Sequence, residues 1–178
     1  MNRISDISSH SFSKNDLLFL DTNIWLSVYG PITYTRRRAS IYSNALRDIR
    51  TTGCSIFIDI LVLSEFINVY ARWEYHQSTQ KNIPYKIFRK SPDFVSIAKD
   101  IANNVRRIIK QCTYCNYNFT NECIEELLTD FENGSLDFND QIFTEICKNK
   151  GLVLVTDDGD FKDSGLIILT ANSYLLNV

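Results

Sequence analysis

Apolar positions along the chain fall into short continuous runs that alternate with longer stretches at helical spacing. Leu17-Leu18-Phe19-Leu20 is a four-residue apolar run that stops at Asp21, and it predicts a buried strand. After Asp21-Thr22-Asn23, the residues Ile24, Trp25 and Val28 recur with the period of a helix. A second helix is predicted from Thr35 to Arg50, closed near Gly53, and Ser55 to Asp59 reads as a second strand. From Leu61 to about His76, Val62, Leu63, Phe66, Ile67, Val69 and Tyr70 form the stripe of a third helix. The stretch from Gln77 to Asp93 is polar and carries Pro84 and Pro92, which predicts a loop or a partly helical excursion. Helices are then expected over Asp93 to Lys110, Asn121 to Phe131 and Asp137 to Lys150, the last closed by Gly151. Leu152 to Val155 and Leu166 to Leu169 complete the predicted strands.

Strands alternating with helices predict an α/β fold with a parallel sheet, and continuous apolar strands predict that both faces of that sheet are covered. The 178 residues suit a single domain spanning 1–178. No apolar run reaches the roughly 18 residues of a membrane span, and the polar start from Met1 to Asp16 has no apolar segment of a secretory signal. Five cysteines, an odd number, argue against a disulfide framework and for a reducing cytoplasm. Cys112-Thr-Tyr-Cys115 with Cys123 is an incomplete zinc pattern, and His10 and His76 are too few for a histidine site.

The chemistry that remains is carboxylate chemistry. Four segments place acids at strand ends or helix starts: Asp21-Thr22-Asn23, Ser64-Glu65-Phe66, Asp137-Phe138-Asn139-Asp140 and Thr156-Asp157-Asp158-Gly159-Asp160. Each acid taken singly has an ordinary reading as a helix cap or a solvated side chain. Together, carboxylates converging on one sheet edge would repel one another unless a cation compensated them. A set of oxygen donors without histidine suits magnesium or manganese better than zinc.

The order and context of these segments resemble the PIN-domain nucleases, including the VapC-type toxins of bacterial toxin–antitoxin pairs. The matching pieces are LFLDTNIW from Leu18, LVLSEFINVY from Leu61, DFNDQIFTEICKNKG from Asp137 and LVLVTDDGDF from Leu152. The resemblance implies a three-layer α/β/α domain with a central parallel sheet. It places the family's acids, as metal ligands and catalytic residues, on Asp21, Glu65, Asp140 and Asp158. Thr22, Asn23 and Thr156 fall on their polar neighbours. It further implies a Mg2+ or Mn2+ cofactor, an RNA substrate, an antitoxin protein or a second copy of the chain as partner, and a cytoplasmic setting without membrane attachment.

The third segment offers both Asp137 and Asp140, and the register of the stripe that follows favours Asp140. The fourth offers Asp157, Asp158 and Asp160, and the T-x-D spacing favours Asp158. Asp137 is accordingly expected to cap its helix and Asp157 to face solvent. The region around 77–111 looks longer than in compact relatives and reads as an inserted lid, substrate arm or partner surface. A catalytically inactive PIN-like scaffold is the alternative function. A phosphatase of the haloacid dehalogenase kind would need an acid at Asn23. The net charge of −2 gives little general attraction for RNA. Arg36-Arg37-Arg38 or Arg106, Arg107 and Lys110 are therefore expected to flank the acidic pocket.

Overall fold

The computed structural model of the protein describes residues 4–31, 36–134 and 137–177. Its strands are β1 (Ile4–Asp6), β2 (Leu17–Leu20), β3 (Ser55–Ile58), β4 (Thr113–Tyr114), β5 (Val153–Val155) and β6 (Ile168–Thr170). Its helices are α1 (Thr22–Tyr29), α2 (Arg36–Thr52), α3 (Ile60–Gln77), α4 (Tyr85–Phe88), α5 (Pro92–Ile109), α6 (Asn121–Glu132), α7 (Phe138–Lys150) and α8 (Ser173–Leu176). All strand pairs are parallel, and the order across the sheet is β1-β6-β5-β2-β3-β4. Helices cover both faces, giving the three-layer α/β/α architecture anticipated from the strand pattern.

The consecutive burial of Leu18, Phe19 and Leu20 shows why the apolar runs are continuous. Side chains alternate across a strand, so neighbours that are all buried require cover on both faces. Phe19 meets Phe143 of α7, with ring centroids 5.4 Å apart. Beyond the strand's end, the indole Nε1 of fully buried Trp25 donates to the Leu20 carbonyl at 3.1 Å and ties α1 to β2. At the end of α7, Gly151 takes the left-handed conformation (φ 63°) that lets the helix stop and β5 begin.

From β2 the chain steps outward to β3 and β4, and later to β5 and β6 on the other side of β2. The crossing direction therefore reverses between β2 and β5. In open parallel sheets the crevice beyond such a switch point is where ligands bind.

Two departures from the sequence reading have physical causes. β1 and β4 were not anticipated, because both are edge strands of three and two residues, recruited by backbone pairing rather than by an apolar face. The last ladder is Ile168–Thr170 rather than one beginning at Leu166, although the Ile167 carbonyl still accepts from Leu154 N–H at 2.9 Å. The polar stretch after α3 contains α4, and it is tied down by an aromatic cluster. Tyr75 packs on Tyr85 and Phe88 at 5.3 and 5.2 Å, and its hydroxyl donates to the Ile83 carbonyl at 2.5 Å. The position expected to open the second helix, Thr35, lies outside the described residues. Among the described residues no helix is long and apolar enough to cross a membrane.

Candidate active site

Asp21 is the first residue beyond β2, and its N–H donates to the Val155 carbonyl of β5 at 3.0 Å. The backbone turns there into α1, which needs a cap, and Asp21 Oδ1 supplies it by accepting from Thr22 N–H at 2.6 Å. The other oxygen, Oδ2, accepts from Thr156 Oγ1 at 2.7 Å and from Asn23 Nδ2 at 2.5 Å. The Thr156 hydroxyl also accepts from Asp158 N–H at 3.0 Å and from Asn23 Nδ2 at 3.1 Å. Its one proton and both lone pairs are thus committed. Asn23 Oδ1 accepts from Asp157 N–H at 3.1 Å. Thr22, Asn23 and Thr156 therefore act as a clamp that holds the ends of β2 and β5 in one register.

The helices bring in the other acids. Glu65 lies one turn into α3, half-buried, and its Oε2 accepts from Thr22 Oγ1 at 2.9 Å. Asp140 lies in the first turn of α7, half-buried, behind the cap made by Asp137 Oδ1 on Asn139 N–H at 2.9 Å. Asp158 follows β5 and caps a short 3-10 turn over Gly159–Asp163.

These carboxylates share one electrostatic field. Burial pushes Asp21 up to about 7 against the pull of its Thr156 and Thr22 hydrogen bonds, and the charges of Glu65 and Asp158 push the same way. Burial likewise raises Asp140 to about 8, with Asp21, Asp158, Asp137 and Glu65 adding to the effect. Glu65 is raised by burial and by Asp137 and Asp158, against its bond from Thr22. Among the described residues none of the four acids has a salt-bridge partner. Nor, among those residues, do three carboxylate, imidazole or thiol groups stand close enough to enclose a cation unaided. The donor set of carboxylate oxygens suits a hard divalent cation, which also takes water and substrate phosphate as ligands.

A pH dependence follows for the metal-free protein. The unfolded chain releases the protons of Asp21 and Asp140 near pH 4, whereas the fold retains them to about 7 and about 8. Between those limits the folded state binds more protons, so stability falls as pH rises. Thermal midpoints in EDTA are expected to decline from pH 5 to pH 8.5, and millimolar magnesium should flatten that decline. Midpoints that climb over this range in EDTA would contradict the electrostatic picture.

The assignment of Asp157 to solvent is corrected. Asp157 is buried, its Oδ2 accepts from Arg38 Nη1 at 2.9 Å, and its Oδ1 accepts from the Tyr42 hydroxyl at 2.7 Å. Adjacent residues on extended chain point in opposite directions, and α2 lies over the side to which Asp157 turns. Sequence reasoning missed the roles of Arg38 and Tyr42, since nothing in the arginine run singles out the member that meets an acid. The rest of the basic residues also disperse. Arg106 lines a groove between α3 and α5, Arg107 covers Tyr29, and the Arg36 side chain lies outside the described residues. The cysteine pair shows no sign of thiolate, since burial pushes the Cys112 and Cys115 thiols up to about 12 and about 11.

A parallel three-layer domain with carboxylates around the switch point is the frame of a PIN-type protein. The sequence model of the PIN domain matches residues 18–165, and the chain belongs to that family. Among solved structures, the chain is similar to the crystal structure of VapBC2 from Rickettsia felis bound to a DNA fragment from its promoter. The identity is 18%, the match covers 86% of this chain and 98% of that one, and the TM-score is 0.53. No curated protein matches the sequence significantly.

Proposed function

We propose that this protein is a divalent-metal-dependent endoribonuclease that hydrolyses phosphodiester bonds, and that it serves as the toxin of a toxin–antitoxin pair. The observation that carries this reading is the gathering of Asp21, Glu65, Asp140 and Asp158 in one field, with no ion-pair partner for them among the described residues. Asp21, Asp140 and Asp158 would hold magnesium or manganese, and Glu65 would add a ligand or orient the attacking water. When bound, such an ion supplies positive charge to the phosphate and lowers the pKa of a water.

The protein's own groups supply position. Thr22, Asn23 and Thr156 fix the Asp21 carboxylate from three sides, so that it needs no rearrangement as substrate arrives. Thr22 Oγ1 also donates to Glu65 Oε2 and so holds that side chain against the start of α1. Asp140 and Asp158 are only half-buried, so solvent and a phosphate could reach them. Asn23 stands where a phosphatase would require a general acid, and its amide protons are already committed to Asp21 and Thr156.

The reading extends to a partner chain, an antitoxin or a second copy of this protein. One experiment tests the catalytic reading. Labelled RNA pools incubated with magnesium or manganese should be cut internally, EDTA should stop the reaction, and restored metal should recover it. Cutting that continues in EDTA would refute the metal mechanism, and an absence of manganese binding by calorimetry at millimolar ion would move the reading to an inactive scaffold.

A further inference from the structure

Three arginines that no run in the sequence connects line one groove. Arg47 and Arg50 lie three residues apart on α2, hence on one face, with Ser43 and Thr51 beside them. Arg107 reaches the same groove from α5, and Tyr29 from the end of α1. The groove measures about 540 Å3. All three arginines are exposed.

Arg107 is fixed in place. Its guanidinium lies over the Tyr29 ring, 4.7 Å from the centroid, and donates to Asn104 Oδ1 at 3.4 Å. Tyr29 is stacked in turn on the buried Trp25 at 6.2 Å, and its hydroxyl accepts from Gln111 Nε2 at 3.2 Å. Stacking holds the guanidinium plane and leaves edge N–H groups free to donate. Arg50 has no hydrogen-bond or ion-pair partner among the described residues. Arg47 is engaged only by its exposed helix neighbours, Nε with Asp48 at 3.0 Å and Nη1 with Asn44 at 3.1 Å.

A solvated helix face explains Arg47 and Arg50 taken alone. It does not explain a third arginine, brought from another helix and held by a tyrosine, in a chain whose net charge is −2. With Trp25 and Arg107 both packed on it, Tyr29 is not free to stack a base. The chemistry of the groove is therefore that of a phosphate backbone rather than of base recognition. α1 links the two sites: it begins beside Asp21 and ends at Tyr29. Its eight residues span about 12 Å, or three to four nucleotides of a stacked strand at ~3.4 Å each.

We propose that the Arg47–Arg50–Arg107 groove is a second contact for the RNA substrate, which binds the phosphates of a single strand several nucleotides from the scissile bond. The proposal rests on the nuclease reading above, and its test separates the two. Binding of fluorescent single-stranded RNA of 20 and of 4 nucleotides is measured by anisotropy across a salt series in magnesium, with Asp140→Asn present throughout to prevent cleavage. Replacing all three arginines by alanine should weaken binding of the long strand at least about tenfold. It should also reduce the slope of log affinity against log salt by about 2, at ~0.7 per phosphate contact. The short strand should bind unchanged. The pair Arg47→Ala with Arg50→Ala, which leaves the Tyr29 stack intact, should give the larger part of the loss and guards against a folding defect. In cleavage by proteins that retain Asp140, the triple replacement should raise KM for long RNA and leave kcat unaltered.

Long-strand binding equal to that of the parent overturns the groove. So does a parent that binds no RNA at all, including the case in which the three arginines instead govern capture of an acidic protein. Arginine-dependent binding by a protein that cuts no RNA upholds the groove and removes the nuclease reading.

Discussion

Asp140→Asn is expected to lower metal-stimulated RNA cleavage by at least about 100-fold, because changes that merely support a ligand at metal sites already cost roughly 10–100-fold. The substitution keeps the size of the side chain and removes its charge. Among the described residues the Asp140 side chain makes no hydrogen bond, so none is lost, and the position tests charge rather than architecture. Asp21→Asn is less clean. It sets an amide where Thr156 Oγ1 and Asn23 Nδ2 both donate, which leaves a buried donor facing another donor. In EDTA above pH 8 the Asp140→Asn protein should melt higher than the parent, since burial and four neighbouring acids hold the Asp140 carboxyl near 8 and its ionisation there opposes folding. Parental cleavage rates under matched magnesium would remove Asp140 from the site. A lower melting point in EDTA at high pH would show that its charge does not burden the fold.

Arg38→Met is expected to destabilise the protein by about 3–5 kcal/mol at neutral pH, the cost of breaking a buried ion pair from one side. The Asp157 side chain is only 2% exposed, against 35% for Arg38, so the carboxylate is the partner left stranded. The Tyr42 hydroxyl alone would remain on it. At roughly 2–4 °C per kcal/mol for a domain of this size, the thermal midpoint should drop by about 10 °C. Adding Asp157→Asn should restore much of that loss, because the stranded charge disappears. A midpoint within ~2 °C of the parent would show that Asp157 finds other compensation. Because the Asp157 peptide also binds Asn23 Oδ1 and Asn172 Nδ2, the single substitution should loosen the segment carrying Asp158 and slow cleavage as well.

The central strands were legible because burial on both faces leaves uninterrupted apolar runs, as in Leu18 to Leu20 and Val153 to Val155. β1 and β4 were not, because a strand of two or three residues at a sheet edge needs only backbone groups, which every sequence carries. Asp21 and Asp158 could be placed beyond strand ends from the residues themselves. Glu65 and Asp140 could not, since each lies on a helix among other polar residues, and only the order of the family's segments singled them out. The direction of Asp157 depends on α2, whose Arg38 and Tyr42 are more than a hundred positions away in the chain. The arginine groove was hidden for a similar reason. Arg47 and Arg50 are isolated residues on α2, and Arg107 comes from the Arg106 run, whose other arginine lines a different groove.

The place of β5 in the sheet has a consequence for a cell that makes this protein. β5 pairs with β2 on one side and β6 on the other, so it is an interior strand supplied late in the chain. A ribosome releases Asp21 early, but Thr156, which fixes the Asp21 carboxylate, emerges 135 positions later. Until then Asp21 lacks its β5 neighbour and Asp158 does not exist. Domains fold as units during synthesis, and long-range parallel pairing is slow. A nascent or truncated chain lacking the segment after Lys150 would therefore contain Asp21, Glu65 and Asp140 without Thr156 or Asp158. Strand order thus delays assembly of the acidic centre until the segment after Lys150 has been made.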